Sequence, residues 1–209
     1  LFFHNSPLVN SLLNNNNNFI SLVLIFTIVF FSLGIINFIN FLDGLDGLLA
    51  SCMIVVFLIT SIYLNINIIP VIACLLGFLF FNWGESKLFM GDVGSTFLGA
   101  LFVGICRQTQ AFYDAFNVVL FASPLLGDAL ISVIRRFLSG KSITIAHKSF
   151  FFQRLNQGGL KHQSVSLIYL SATSINAIMF LLGGIKFLFL IIIAEFFIAL
   201  YLDKKVAIF

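Results

Sequence analysis

The chain has 209 residues, enough for one compact domain and short for two. It is 60% hydrophobic and only 9% charged, with 28 Phe and a mean hydropathy of +1.11; a water-soluble domain carries about a quarter charged residues, so this chain belongs in a lipid bilayer. Its 11 Lys+Arg against 8 Asp+Glu leave a formal charge of +3 without any basic run or aromatic-interleaved patch, which sets nucleic acid aside as a partner.

A helix needs about 20 apolar residues to cross the hydrocarbon core. Windows of that length fall at 19–36, 48–64, 66–83, 95–112, 115–138, 164–182 and 185–202. They predict an all-α fold, a polytopic membrane helix bundle with about seven transmembrane helices. Residues 1–18 read as a polar low-complexity tail around Asn14 to Asn18, without the basic start and small-residue cleavage site of a signal peptide. Residues 19–209 then form a single transmembrane domain with cytoplasmic loops at 37–47, 84–94 and 139–163. The short spacings between windows favour antiparallel hairpins. Cys52, Cys74 and Cys106 are scattered through apolar runs and read as small hydrophobes, not as disulfide or zinc ligands.

Loop charges give the sidedness. Lys87, Arg135, Arg136, Lys141, Lys148, Arg154, Lys161, Lys204 and Lys205 fall on one side of the bundle, against Arg107 and Lys186 on the other. The positive-inside rule makes the first side cytoplasmic, with the N-terminal tail outside and the C-terminus inside. Asp43, Asp46, Glu85, Asp92 and Asp203 lie on that same face, with Asp128 within two turns of it. Polar chemistry is therefore gathered at one membrane surface.

Three segments there carry unusual groupings. In the first, Asn37, Asn40, Asp43 and Asp46 recur every third residue, so a helical continuation would put them on one face, while Gly44 and Gly47 allow a turn or close backbone approach. A single Asp-Gly pair is a common solvated turn. Two such pairs in register with two asparagines point instead to a binding loop. In the second, Asp92 precedes a helix start with Gly94 and Ser95 following, an arrangement that caps a helix or, with clustered donors, holds Mg²⁺ against phosphate oxygens. Phe89 beside it is placed either to stack on an aromatic ring or to anchor in the bilayer interface. The third, 139–163, carries His147, Lys148, Arg154, a Gly158-Gly159 turn and His162. The ordinary cytoplasmic excess of cations explains its charge, and lone histidines are weak evidence for catalysis.

Four stretches resemble successive motifs of a known family: Asn40-Phe-Leu-Asp43-Gly-Leu-Asp46-Gly-Leu, Phe89-Met-Gly-Asp92-Val-Gly-Ser, Ser123-Pro124-Leu-Leu-Gly-Asp128, and Ala146-His147-Lys148-Ser-Phe-Phe-Phe-Gln153-Arg154-Leu. They are similar, in the same order, to the polyprenyl-phosphate N-acetylhexosamine-1-phosphate transferases of glycosyltransferase family 4, relatives of phospho-N-acetylmuramoyl-pentapeptide transferase. The resemblance implies transfer of an N-acetyl sugar-1-phosphate from a UDP-N-acetyl sugar to undecaprenyl phosphate at the cytoplasmic face of the cell (inner) membrane, with release of UMP and with Mg²⁺ as cofactor. It further implies that Asp92 is the metal ligand and, with Asp43 and Arg154, catalytic. Asn40, Gly44 and Asp46 would line the nucleotide pocket, Phe89 would stack on uracil, and His147 and Lys148 would join Arg154 in gripping the pyrophosphate. The wording around Gln153 and Gly158 is nearest the branch that starts O-antigen or similar surface polysaccharides.

Departures from the family pattern carry their own expectations. The family's early loop holds an adjacent Asp-Asp pair, which this sequence lacks, and the resemblance therefore implies an N-terminally truncated member needing a separate N-terminal segment as partner. Phe150 stands where this branch has histidine, and Phe152 and Gln153 occupy positions that are histidine in the wider family. A phenyl ring donates no hydrogen bond to phosphate. An inactive remnant or one part of a split transferase is the alternative that follows. A small transporter is a further one, resting on the lone Glu195 within the last span.

Overall fold

A computed structural model describes residues 18–84, 86–140 and 149–205. Every regular element among the described residues is α-helical. In chain order these are α1 (Asn18–Phe41), α2 (Leu48–Leu64), α3 (Ile69–Asn82) and α4 (Gly91–Gln108), followed by α5 (Phe112–Phe121), α6 (Ser123–Leu138), α7 (Phe151–Gln157) and α8 (His162–Lys205).

The central helix is α2. It is apolar all round, the pattern of a helix surrounded by others, and it packs against α3, α5 and α8. Leu48, Leu49, Cys52, Met53, Val56 and Phe57 are all buried along it. In lipid the competing environment for these side chains is as apolar as the core, so their contribution comes from close packing more than from leaving water. The outer helix α1 presents Phe19, Phe26, Phe30 and Phe31 outward and packs against α4 and α6. The α1–α4 crossing is close because of Gly99: a Cβ there would lie 2.9 Å from the Ile36 Cα, backbone that cannot rotate aside.

Each predicted window falls largely on helix, and the helices differ in length and straightness. Phe19–Phe41 and His162–Lys205 are long and apolar enough to cross a bilayer, and the pair Phe112–Phe121 with Ser123–Leu138 makes a third if taken as one span. Helices α2 and α3 are shorter apolar helices. The window 115–138 is broken by an 83° bend at Ala122. Pro124 in the first turn of α6 explains the break, since its ring and missing N–H are tolerated at a helix start and not in its interior.

Windows six and seven merge into α8, which breaks at Gly183 (φ −144°, ψ 15°) and Gly184 (φ 64°, ψ −155°). The break is a reversal: Asp203, near the end of the second arm, pairs with Arg154, which precedes the start of the first. Glu195 of the second arm lies within hydrogen-bonding reach of Asn176 in the first, and Asn176 donates to Ser123 Oγ at 3.0 Å. Glu195 thus sits beside an interhelical polar group and faces the bundle. Cys52 and Cys106 are buried and Cys74 is exposed, all three as free thiols.

Candidate functional site

The α1–α2 connection is where the site begins. Helix α1 continues through Asn40, so Asn37 and Asn40 are helical and the loop itself is limited to residues 42–47. The chain leaves α1 through tight turns in which the N–H groups of Leu42 and Asp43 donate to the carbonyls of Ile39 and Asn40. Gly47 closes the loop at φ 74°, in the left-handed region that favours glycine. A Cβ at Gly47 would also lie 2.5 Å from the Trp83 ring. The Gly47 N–H donates to Asn82 Oδ1 at 2.8 Å, and the Asn82 amide donates onward to the Leu88 carbonyl at 2.7 Å and Ser86 Oγ at 3.1 Å. One buried asparagine therefore ties the first loop to the second.

The second loop leads into α4, which starts at Gly91 and so includes Asp92 in its first turn instead of leaving it ahead of the helix. Ser95 Oγ donates to Asn40 Oδ1 at 2.5 Å, joining the end of α1 to the start of α4. Asp43 accepts the Gly91 N–H, so its carboxylate sits at the positive end of α4. Burial pushes the Asp43 carboxyl above the ordinary carboxylate range; the Gly91 N–H opposes that rise and the nearby Asp92 charge adds to it. Asp92 itself is exposed, and Phe89 is 74% exposed at the mouth of this group.

Two carboxylates that repel each other at a helix start are a donor set that fits a hard divalent cation. Among the described residues no group of three His, Cys, Asp or Glu side chains gathers. Mg²⁺ takes one or two carboxylates and completes its shell with phosphate oxygens and water.

The third segment is anchored by Asp128. Helix α7 starts at Phe151 with Phe150 as its cap residue, and a phenyl ring cannot accept the free N–H groups of a first turn. Asp128 reaches across from α6 to do so: Oδ1 accepts from Phe151 N at 2.7 Å and Oδ2 from Phe152 N at 3.2 Å. The same carboxylate accepts from Tyr169 Oη at 2.7 Å and Ser132 Oγ at 3.1 Å. Gln153 adds half of a capping box, its Oε1 accepting the Phe150 N–H at 3.3 Å.

Phe150 and Phe152 are buried and stack on each other at 5.8 Å, and a Cβ on Gly44 would lie 3.0 Å from the Phe152 ring. Of the three positions where the resemblance implies histidine, Phe150 and Phe152 are apolar packing near the first loop, and Gln153 caps α7. Arg154 is paired with Asp203 at 2.5 Å, and Arg135 meets the same carboxylate at 3.0 Å. His162 Nδ1 lies 2.9 Å from Asp46 Oδ2, while Ser166 Oγ donates to the Asp46 carbonyl at 2.8 Å.

Asn40, Asp43, Gly44, Asp46, Phe89 and Asp92 thus belong to one continuous group spanning the first two loops and the start of α4. Arg154 faces Asp203. His147, Lys148 and Glu85 lie outside the described residues. Asn82, His162 and Asp203 were given no site role by the sequence, and Asp128 none beyond membership of a motif. Only its own neighbours in space reveal each of them, although an asparagine ending an apolar helix is a local signal for Asn82.

Comparison with known proteins gives the family. Glycosyl transferase family 4 matches residues 2–109, a stretch that contains both the Asn40–Asp46 and the Phe89–Asp92 motifs. The chain is 38% identical over 106 residues, 48% of its length, to a probable undecaprenyl-phosphate N-acetylglucosaminyl 1-phosphate transferase of Bacillus subtilis. It is 35% identical over 122 residues, 50% of its length, to a decaprenyl-phosphate N-acetylglucosaminephosphotransferase of Mycolicibacterium smegmatis, and 32% identical over 118 residues, 49% of its length, to one of Mycobacterium tuberculosis. These matches span 29%, 30% and 29% of the relatives' own lengths. With its two loop motifs inside the matched half and joined in space, the chain belongs to glycosyl transferase family 4.

Proposed function

We propose that this end of the bundle binds a UDP-N-acetyl sugar and a polyprenyl phosphate such as undecaprenyl phosphate, and serves transfer of the sugar-1-phosphate between them. A phosphate oxygen of the lipid attacks the β-phosphorus of the nucleotide sugar; the bond from that phosphorus to the bridging oxygen breaks and UMP leaves. The observation that carries this reading is the meeting of Asp43 and Asp92 at the start of α4, beside Asn40 and the exposed ring of Phe89. Asp92 and Asp43 would hold Mg²⁺, which when bound neutralises phosphate charge. Asn40 and Asp46 orient the nucleotide, Gly44 lets the Phe152 ring pack against the loop that carries them, and Phe89 offers a face to uracil. His147, Lys148 and Arg154 supply cationic charge to the anions at the membrane surface.

The charged end faces the cytoplasm in this reading, in a cell inner membrane, and the product initiates an envelope polysaccharide. Orientation is tested with single cysteines in a background lacking Cys52, Cys74 and Cys106. Ser86→Cys reacts with an impermeant thiol reagent only from the cytoplasmic side and Asn65→Cys only from outside; labelling of both from one side rejects the topology.

For the chemistry, the full chain is titrated with UMP and Mn²⁺ and followed by the electron paramagnetic resonance of the bound ion. Asp92→Asn abolishes the bound-ion signal without unfolding the bundle. Equal binding by wild type and variant rejects the site. The burial of Phe150 and Phe152 favours a second reading, in which the chain binds both substrates and does not complete transfer. Turnover of labelled sugar phosphate onto undecaprenyl phosphate by the 209-residue chain rejects that second reading.

A further inference from the structure

The second arm of α8 folds back along the first and packs against α6. Between α6 and α8 lies a cavity of about 330 Å³ lined mainly by aliphatic side chains, among them Ile131, Ile168, Ile175 and Ile191. Arg135 and Asp203 also line it, and they lie in the last turns of α6 and α8. Asp203 receives Arg135 Nη2 at 3.0 Å on one oxygen and Arg154 Nη1 at 2.5 Å on the other. Its side chain is 17% exposed, that of Arg154 11% and that of Arg135 46%.

Two guanidinium groups from different helices converging on one carboxylate outline a site for an anion with several oxygens, because the planar fork of arginine matches phosphate as well as carboxylate. Free phosphate has no use for an aliphatic cavity alongside. An apolar chain with a phosphate head uses both parts.

We propose that Asp203 is a built-in occupant of an anion site formed by Arg135 and Arg154 at one end of the α6–α8 cavity, and that the phosphate head of an apolar-chain monoester displaces it. The inference rests on the lipid-phosphate reading above and adds a competitor to it. It moves Arg154 from the nucleotide to the lipid. Asp203 keeps the two arginines paired, and so away from stray anions, until an amphiphile brings chain and head together. Its carboxylate lowers apparent affinity for the phosphate by the strength of the two contacts it holds.

The test uses the full chain in nanodiscs of zwitterionic lipid, with radiolabelled farnesyl phosphate, farnesol and inorganic phosphate as probes. Wild type binds farnesyl phosphate and neither of the others at the same concentration. Asp203→Asn removes the competing charge and tightens farnesyl phosphate roughly three- to tenfold, as expected for a partly exposed ion pair. Asp203→Glu retains wild-type affinity, and Arg135→Gln with Arg154→Gln abolishes binding. Circular dichroism melts of every variant identify any that fail to fold, and Asp203→Glu keeps the comparison available if Asp203→Asn does. Equal affinity of wild type and Asp203→Asn, or equal gain for inorganic phosphate, overturns the proposal. UMP binding measured in parallel separates the outcomes: if it persists while the farnesyl phosphate pattern fails, the Asp203 proposal falls and the nucleotide site stands. Loss of both overturns the functional reading itself.

Discussion

His162 Nδ1 stands 2.9 Å from Asp46 Oδ2, although 116 positions separate the two residues in the chain. The contact pins the start of α8 to the α1–α2 loop, and Ser166 reinforces it by donating to the Asp46 carbonyl at 2.8 Å. Asp46 is therefore held from behind by the start of α8.

His162→Ala is expected to cost little stability, no more than about 1 kcal/mol, because the histidine side chain is 43% exposed and such pairs are weakly stabilising. Its effect on UMP affinity is the larger one, a loss of roughly threefold or more as Asp46 gains freedom. Isothermal titration with UMP, alongside a thermal melt, reads the two effects separately. A melt that falls steeply with affinity unchanged contradicts the positioning role.

Asp128 accepts from four donors on three helices while 7% exposed. Asp128→Ala leaves the first N–H groups of α7 and the Tyr169 hydroxyl without that partner, and is expected to destabilise the protein by about 3 kcal/mol. Tyr169→Phe removes one donor and costs about 1 kcal/mol. Hydrogen exchange over residues 150–157 accelerates in Asp128→Ala and stays near wild type in Tyr169→Phe.

Gly47 meets two constraints at once, a left-handed backbone and the face of Trp83. Gly47→Ala forces either the loop or the indole to move and costs about 1–3 kcal/mol. Trp83 is the chain's sole tryptophan, so its emission reports the displacement directly. A Gly99→Ala substitution, with the Ile36 backbone 2.9 Å from the new Cβ, carries a similar cost and leaves the Trp83 spectrum unchanged.

Asp43 makes stability depend on pH. Its folded-state carboxyl is raised, chiefly by burial and further by Asp92, so the folded protein holds that proton more tightly than the unfolded chain does. The group adds no penalty below its unfolded value of about 3.9, where both states are protonated, and destabilises the fold as pH rises through its higher folded value. In chelator, Asp43→Asn is therefore expected to melt above wild type near neutral pH and to lose that advantage in acid. A difference that grows on acidification contradicts the sign.

Composition and the length of each apolar run were enough to determine membrane class, helical content and the rough position of the long apolar helices, because these are local properties of a chain that lacks charge to face water; α7, inside the expected loop 139–163, was not among them. The Asn40–Asp46 and Phe89–Asp92 motifs were legible for the same reason: short spacings mark residues that share a turn. What no local pattern contains is which helix end meets which. Asp128 reads as an acid near a helix end, and only the packing of α6 against α7 makes it the cap that Phe150 cannot be. Pro124 was visible, but whether it bends a span or starts a new helix depended on what the two halves pack against. Asp203 counted as one more surface acid until the reversal at Gly183 and Gly184 brought it back to Arg135 and Arg154. Its role is decided by the fold because an ion pair depends on distance in space, and the distance between α6, α7 and the end of α8 is set by helix packing alone.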